Sequence, residues 1–301
     1  MRPSYLSRLA ARARRSLGID ELAERMTSIE NRLATAQPEP AYPRGPLYFG
    51  DHTALVVTRW GARMLVDTRD AAIAPWLVLD GLWEPHVTTW MQSTLVRGNV
   101  FVDVGANVGY FTLLGARLVG PEGLVVAVEA HPDTVRILQR NVVLNGLYGY
   151  VTSHHRAAWS ENVDLEFHLR ENFAGSSSVG VIGAAGLQRL GDTERSVTVP
   201  AVRLDDLLAD LPRPVDVIKM DVEGAEVQAL KGLERTLRSN PHIVVMFEWA
   251  RAPIEAVGDT PAALAELVDS YGFKLKLLET GETVDTARLL ELPYGNVVAS
   301  R

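Results

Sequence analysis

Cysteine is absent from all 301 positions of this chain. That removes disulfides, thiolate nucleophiles and cysteine-held zinc or iron–sulfur centres from the chemistry open to it. Also missing is any apolar run near the ~20 residues that span a bilayer, so no transmembrane segment is expected. There is no excess of positive charge. The net charge is −7, which argues against non-specific binding to nucleic acid and accords with a cationic ligand. Arg2, Arg8, Arg12, Arg14 and Arg15 crowd the start without the apolar core of a secretory signal, so cytoplasm is the expected compartment. What is present is ordinary for a globular protein: 47% hydrophobic and 22% charged residues, enough to bury a large core.

Residues 1–36 read as a helix apart from the main body. Ile19, Leu22, Met26, Ile29 and Leu33 repeat at 3-4-3-4 spacing, a coiled-coil seam of about two heptads. It would join copies into a homo-oligomer or pack on its own domain. Pro38, Pro40, Pro43 and Pro46 mark a linker over 37–50 that cannot continue a helix. The segment 51–99 leads into the main domain. Within it, Ala54–Thr58 and Met64–Thr68 predict a hairpin turned at Trp60-Gly61, followed by an aromatic stretch that contains Trp83-Glu84-Pro85-His86. From 100 to 301, strands alternate with helices, which predicts a mostly parallel sheet. Pro132 and Gly146 bracket the clearest helix. The rhythm breaks over 161–203, where two strand-like pieces flank a Gly/Ser-rich loop, Asn172–Gly191.

The most informative run is VFVDVGANVG, Val100 to Gly109. An apolar strand ends in Asp103 and turns through Gly105, Ala106, Asn107 and Gly109 into a helical pattern at Tyr110. This is the nucleotide-binding corner of an open α/β sheet. The next strand ends in Glu129, 20 residues after Gly109, where an acid can take two ribose hydroxyls. Asp103 at the lip of the strand is badly placed for a pyrophosphate, which would bring negative charge to the helix start. S-adenosylmethionine carries a sulfonium, an ammonium and one carboxylate and no phosphate. Asp103 suits the ammonium, and the loop amides suit the carboxylate. A dinucleotide-dependent oxidoreductase is the rival enzyme reading. A non-catalytic assembly protein, using residues 1–36 as its partner helix, is the rival outside enzymes.

Three segments carry a family resemblance: VFVDVGANVGYFTLLGA, VVAVEAHPDTVRILQRNVVLNG and VDVIKMDVEGAEVQALKG. They resemble the FkbM-type S-adenosylmethionine-dependent methyltransferases, over roughly residues 80–300. The resemblance implies a Rossmann-like class I methyltransferase fold: a seven-strand, mostly parallel sheet with helices on both faces. Its last strand is antiparallel and inserted between its neighbours. Here it would carry an N-terminal helical arm and a β-hairpin extension. The resemblance also implies methyl transfer to a hydroxyl, on a saccharide, a glycolipid or a glycosylated natural product.

The donor-binding set expected on this basis is Glu84, Asp103, Gly105, Ala106, Asn107, Gly109, Tyr110, Glu129, Ala130, His131, Ala158 and Asp221. Several of these have two readings. Asn107 either adopts a left-handed backbone or binds the donor carboxylate. Tyr110 either lines the methionine pocket or packs in the core. His131 lies near the adenine or caps a helix. Ala157-Ala158 stand where the family makes main-chain contacts to adenine. The catalytic candidates are Asp221, Glu223, Glu248 and His86. Asp221 would act as base or metal ligand, with Lys219 neutralising it. Glu223 shares a helix face with Glu226 or serves the helix start electrostatically. Trp249 would stack on a sugar or pack. Asn172 and Gly175-Ser176-Ser177-Ser178 would form an acceptor-side loop able to close over the site. Mg²⁺ is possible but not favoured, because Glu248-Trp249 stands where metal-dependent O-methyltransferases carry an Asp-Asn pair.

Overall fold

The computed structural model describes residues 45–181 and 183–301. The coiled-coil seam expected within 1–36 lies outside the described residues. The described chain from Gly45 onward forms one compact unit.

Its centre is an eight-stranded sheet. In chain order the strands are β4 (Val100–Val104), β5 (Leu124–Glu129), β6 (Val151–His155), β10 (Val217–Met220), β11 (Val244–Ala250), β12 (Lys274–Leu277), β13 (Thr283–Val284) and β14 (Tyr294–Ser300). Across the sheet they run β13-β12-β14-β11-β10-β4-β5-β6. The pairs from β6 to β11 are parallel; β14 is antiparallel to both β11 and β12. The expected seven strands are therefore present, with the two-residue β13 added at the edge. The last strand is inserted as expected. Val100, Val102 and Val104 on one face of β4, and Phe101 on the other, are fully buried. A strand covered on both faces reads as an unbroken apolar run, and each such side chain contributes about 1.5–3 kcal/mol of burial.

The extension ahead of the sheet is larger than a hairpin. β1 (Leu47–Gly50), β2 (Thr53–Val57) and β3 (Arg63–Asp67) form a three-stranded antiparallel sheet. β1 occupies the end of the stretch expected to be linker: Pro46 precedes it, and no proline interrupts 47–50. Nor is this sheet set apart from the main domain. Val56, Met64 and Val66 share one buried cluster with Phe101, Leu113 and Leu114. Asn141, fully buried in the helix Pro132–Leu144, accepts from Leu65 N at 2.7 Å and donates to Leu65 O at 3.0 Å. Asn145 repeats the pattern on Arg63. Two side-chain amides thus pair the edge of β3, which would otherwise be open to another strand.

A third sheet holds β7 (Ala157–Ala158), β8 (Asp164–Arg170) and β9 (Glu194–Val202), in the order β7-β9-β8. The Gly/Ser-rich segment between β8 and β9 was expected to be all loop. It contains a short 3₁₀ turn at Ala174–Ser176 and a helix at Ala184–Leu190. Its two ends are pinned by the buried ion pair of Arg170 and Asp192, at 2.6 Å.

Candidate active site

The carboxyl ends of β4, β5, β10 and β11 open on one cavity of about 300 Å³. The corner after β4 forms one wall. Gly105 takes φ +76, and a Cβ there would sit 1.7 Å from the Asp221 carbonyl oxygen. Only glycine lets the two strand ends approach this closely. Asn107 adopts the left-handed conformation, φ 50, and its Oδ1 accepts from Val108 N at 2.7 Å. Asn107 N in turn donates to Glu129 Oε2 at 2.7 Å, and Gly105 N and Ala106 N both donate to Val128 O. The loop amides expected to hold a donor carboxylate are therefore engaged inside the protein. This corrects the expectation: they stiffen the corner, and a ligand carboxylate needs other donors.

Glu129 lies on the cavity wall as expected. Its Oε1 accepts from His131 N at 2.7 Å, so each oxygen takes one backbone N–H and retains a lone pair for a ligand. Burial, only partly offset by those two bonds, raises its carboxyl to about 7. Ala130, Ala157, Ala158 and Phe167 continue this wall.

Three expected donor-site residues need correction. Asp103 is fully buried behind the wall rather than on it. Its Oδ2 accepts from Thr112 Oγ1 at 2.6 Å, and its Oδ1 has no partner among the described residues. Burial raises it to about 6, against the pull of the Lys219 ammonium. Gly109 faces Leu138 of the neighbouring helix, where a Cβ would meet Leu138 at 3.3 Å, and does not line the cavity. His131 caps the helix Pro132–Leu144: its Nδ1 accepts from Asp133 N at 3.1 Å. Desolvation lowers it to about 4, so it is neutral at physiological pH, as that acceptor role requires. Its side chain sits in a separate cleft with Asp133 and Arg170. Tyr110 satisfies both of its readings. It touches the cavity, yet is 1% exposed and takes hydrogen bonds from Trp60 Nε1 at 3.0 Å and with Thr88 Oγ1 at 3.2 Å. It ties the three-stranded extension to the helix after the glycine corner.

The opposite end of the cavity is acidic. Glu84, Asp221, Glu223 and Glu248 all face it, from three separate segments. Glu84 stands just ahead of the helix Pro85–Thr94 with φ 39, a strained backbone for a non-glycine residue. Burial and the Asp221 charge raise its carboxyl to about 7. Glu223 also takes positive φ, 53, in the turn Asp221–Gly224. A Cβ at Gly224 would lie 2.2 Å from Pro253 O, so this turn is pressed against the segment after β11. Burial and then Asp221 push Glu223 and Glu248 well above the usual carboxylate range.

One cation holds this end together. Lys219, 2% exposed, donates to Asp221 Oδ2 at 3.2 Å and Gly105 O at 3.4 Å, with its ammonium 5.0 Å from the Phe111 ring centroid. Burial opposes its charge, but Asp221, Asp103 and Glu84 overcome that and keep it above the ordinary lysine range. Lys219 thus bridges the glycine corner and the acidic end.

His86 and Trp249 are not part of this site. His86 is exposed on the helix Pro85–Thr94 and lines a different groove with Lys276 and Leu277. The reason is its spacing: as the second helical residue it points away from Glu84. Trp249 is wholly buried and donates to Leu292 O at 3.0 Å. Glu226 is buried beside the cavity and accepts from Val222 N at 3.1 Å. Of the loop residues, Gly175, Ser176 and Ser177 line the cavity, whereas Asn172 anchors the loop base through Asp192. Sequence reasoning missed Arg156, Phe167 and Tyr294. Tyr294 reaches the cavity because β14 runs antiparallel to β11, placing it opposite Ala250, two residues beyond Glu248. Among the described residues, no group of three or more His, Asp or Glu side chains has metal-holding geometry.

Known proteins resemble this chain over the same region. "Methyltransferase 1" of Beauveria bassiana is 31% identical over 145 residues, covering 44% of this chain; the chain spans 57% of that protein's length. The hexuronic acid methyltransferase AglP of Haloferax volcanii is 27% identical over 191 residues, 63% of this chain and 71% of the relative. Among solved structures, an O-methyltransferase from Bacillus cereus in complex with SAH superposes with a TM-score of 0.43 at 16% identity, covering 73% of this chain and 83% of that one. Residues 103–275, more than half of the chain, match the methyltransferase FkbM domain. The chain belongs to the FkbM methyltransferase family.

Proposed function

We propose that this protein transfers a methyl group from S-adenosylmethionine to a hydroxyl of a saccharide, a glycolipid or a glycosylated natural product. The observation that carries the reading is the charge of this cavity. Five carboxylates line it, from Glu84, Glu129, Asp221, Glu223 and Glu248, against two cations, Lys219 and Arg156. A pyrophosphate would be repelled there, whereas a sulfonium and an ammonium would be held. This disfavours the dinucleotide reading more firmly than Asp103 alone did.

The donor set fits. Glu129 would take the ribose hydroxyls on its remaining lone pairs. Ala157 and Ala158 would flank the adenine, with Phe167 beside them. Glu84 would bind the ammonium in place of Asp103, which acts through Lys219. The carboxylate would fall to the side-chain amide of Asn107 and the Ser176 hydroxyl. When bound, S-adenosylmethionine supplies an electrophilic methyl on its sulfonium. The chain's part is to align an acceptor oxygen behind that carbon and take its proton. Asp221, fixed by Lys219, is the proton acceptor in this reading, and Glu223 and Glu248 bind neighbouring hydroxyls. Kinship with a hexuronic acid methyltransferase supports a saccharide acceptor. In this reading the protein works in the cytoplasm, and residues 1–36 would join copies of the chain.

The test is transfer of labelled methyl from S-adenosylmethionine to a panel of glycosides, read by mass. A saccharide product one methyl heavier is expected. Label that reaches no glycoside in the panel, under conditions where the donor binds, would overturn the saccharide assignment.

A further inference from the structure

We propose that the acidic end of the cavity selects a saccharide whose reacting ring carries no carboxylate, and favours a ring bearing an amino group over a neutral one. The inference rests on the proposed methyl transfer and narrows its acceptor. Glu84, Asp221, Glu223 and Glu248 converge on this end, and Lys219 is the only cation among them. Lys219 is already committed to Asp221 and the Gly105 carbonyl. Arg156 belongs to the other wall, adjoining Ala157 and Ala158.

No hydrogen bond or ion pair to another described residue holds the Glu223 carboxylate. It faces the cavity with its acceptor capacity unspent. Glu248 has the Tyr294 hydroxyl as its neighbour, a neutral group that donates one hydrogen bond and brings no compensating charge. The donor brings a net single positive charge, and its ammonium is directed to Glu84. That leaves Glu223 and Glu248 for the acceptor. Burial, and then the charge of Asp221 beside them, is what holds both carboxyls high. A uronate placed here adds a further anion to a site whose anions already repel. Like charges brought together in a partly desolvated site repel one another and weaken binding. A ring ammonium relieves the same repulsion, and hydroxyls are accepted without charge. The chain thus differs in its acceptor from what the name of its Haloferax volcanii relative states.

The experiment uses the full chain. It is first saturated with S-adenosylhomocysteine, then titrated calorimetrically at neutral pH with three matched methyl glycosides: glucosaminide, glucoside and glucuronide. The expected affinity order is glucosaminide, then glucoside, then glucuronide, with a gap of at least about tenfold between first and last. Raising the salt should narrow that gap, because screening weakens charge contacts. In Glu223→Gln/Glu248→Gln the gap should collapse. If that variant fails to fold, the salt series on the wild-type protein decides alone. A glucuronide that binds as tightly as the glucosaminide, or a gap insensitive to salt, overturns the inference. Failure of S-adenosylhomocysteine itself to bind overturns instead the donor assignment on which it rests.

Discussion

At the glycine-corner end of the cavity the wall is main chain, and nearly every polar group is committed. Gly105 N and Ala106 N go to Val128 O, Asn107 N to Glu129, and Val108 N to Asn107. At the acidic end the wall is side chain, and the groups are crowded and under-partnered. Glu84 and Glu223 sit on strained backbone, and burial and the Asp221 charge push Glu223 and Glu248 well above the usual carboxylate range. The first end is a rigid mould. The second stores unfavourable charge that a cationic donor and a hydroxylated acceptor would relieve. Strain and frustrated charge concentrate where chemistry is done.

The sharpest way to break the contrast is at the mould. Gly105→Ala forces a Cβ onto the Asp221 carbonyl at a left-handed backbone. The expected loss is at least about 3 kcal/mol of stability, seen as a lower unfolding midpoint in denaturant, together with loss of donor binding. A variant as stable as the wild type would show that the corner is loose. At the acidic end, Asp221→Asn should lower kcat by about 100-fold or more while S-adenosylhomocysteine affinity changes only a few-fold. Equal losses in both would make Asp221 a donor-binding group instead of the proton acceptor. Glu129→Ala is the converse. Donor affinity should fall by roughly 10- to 100-fold, the worth of hydrogen bonds to a carboxylate, with kcat at saturation retained. Calorimetry and steady-state kinetics separate the two patterns.

The smallest effect concerns stability against pH. Glu226 is buried outside the cavity and raised to about 7, burial being the main cause. Its folded form prefers the proton, so its contribution is greatest below the unfolded value of about 4.5 and is lost as pH rises toward 7. Glu226→Gln cannot ionise and keeps an oxygen for Val222 N. The variant should therefore gain about 2–3 kcal/mol on the wild type between pH 5 and pH 8. A pH-independent difference between the two proteins would show that Glu226 is ionised throughout.

The two ends also differ in how legible they were in the sequence. The glycine corner is one contiguous run, so its strand, turn and helix follow from local pattern. The same holds for β5 ending at Glu129 and for the helix Pro132–Leu144, whose bounds match their signals. What local pattern does not contain is where amides point. Nothing in VFVDVGANVG says that Val128 O consumes two of them, or that Asp103 turns inward to Thr112. His131 shows the same limit, since a capping histidine and an adenine neighbour look alike in a string. The acidic end is assembled from residues as far apart as Glu84 and Tyr294, and only strand ends gave it away. Asp221 and Glu248 were visible as acids closing apolar strands. Tyr294 depends on the inserted antiparallel β14, and His86 was misplaced because one helical step decides which side of Pro85–Thr94 it faces. β1 escaped because the prolines just before it mask a four-residue strand.

The central claim is that this cavity holds a cationic adenosyl donor and not a dinucleotide. Parallel calorimetric titrations of the full chain with S-adenosylhomocysteine and with NAD test it most directly. The account predicts one molecule of S-adenosylhomocysteine bound per chain, weakened by Glu129→Ala, and no heat from NAD. Saturable NAD binding with no response to S-adenosylhomocysteine would contradict it.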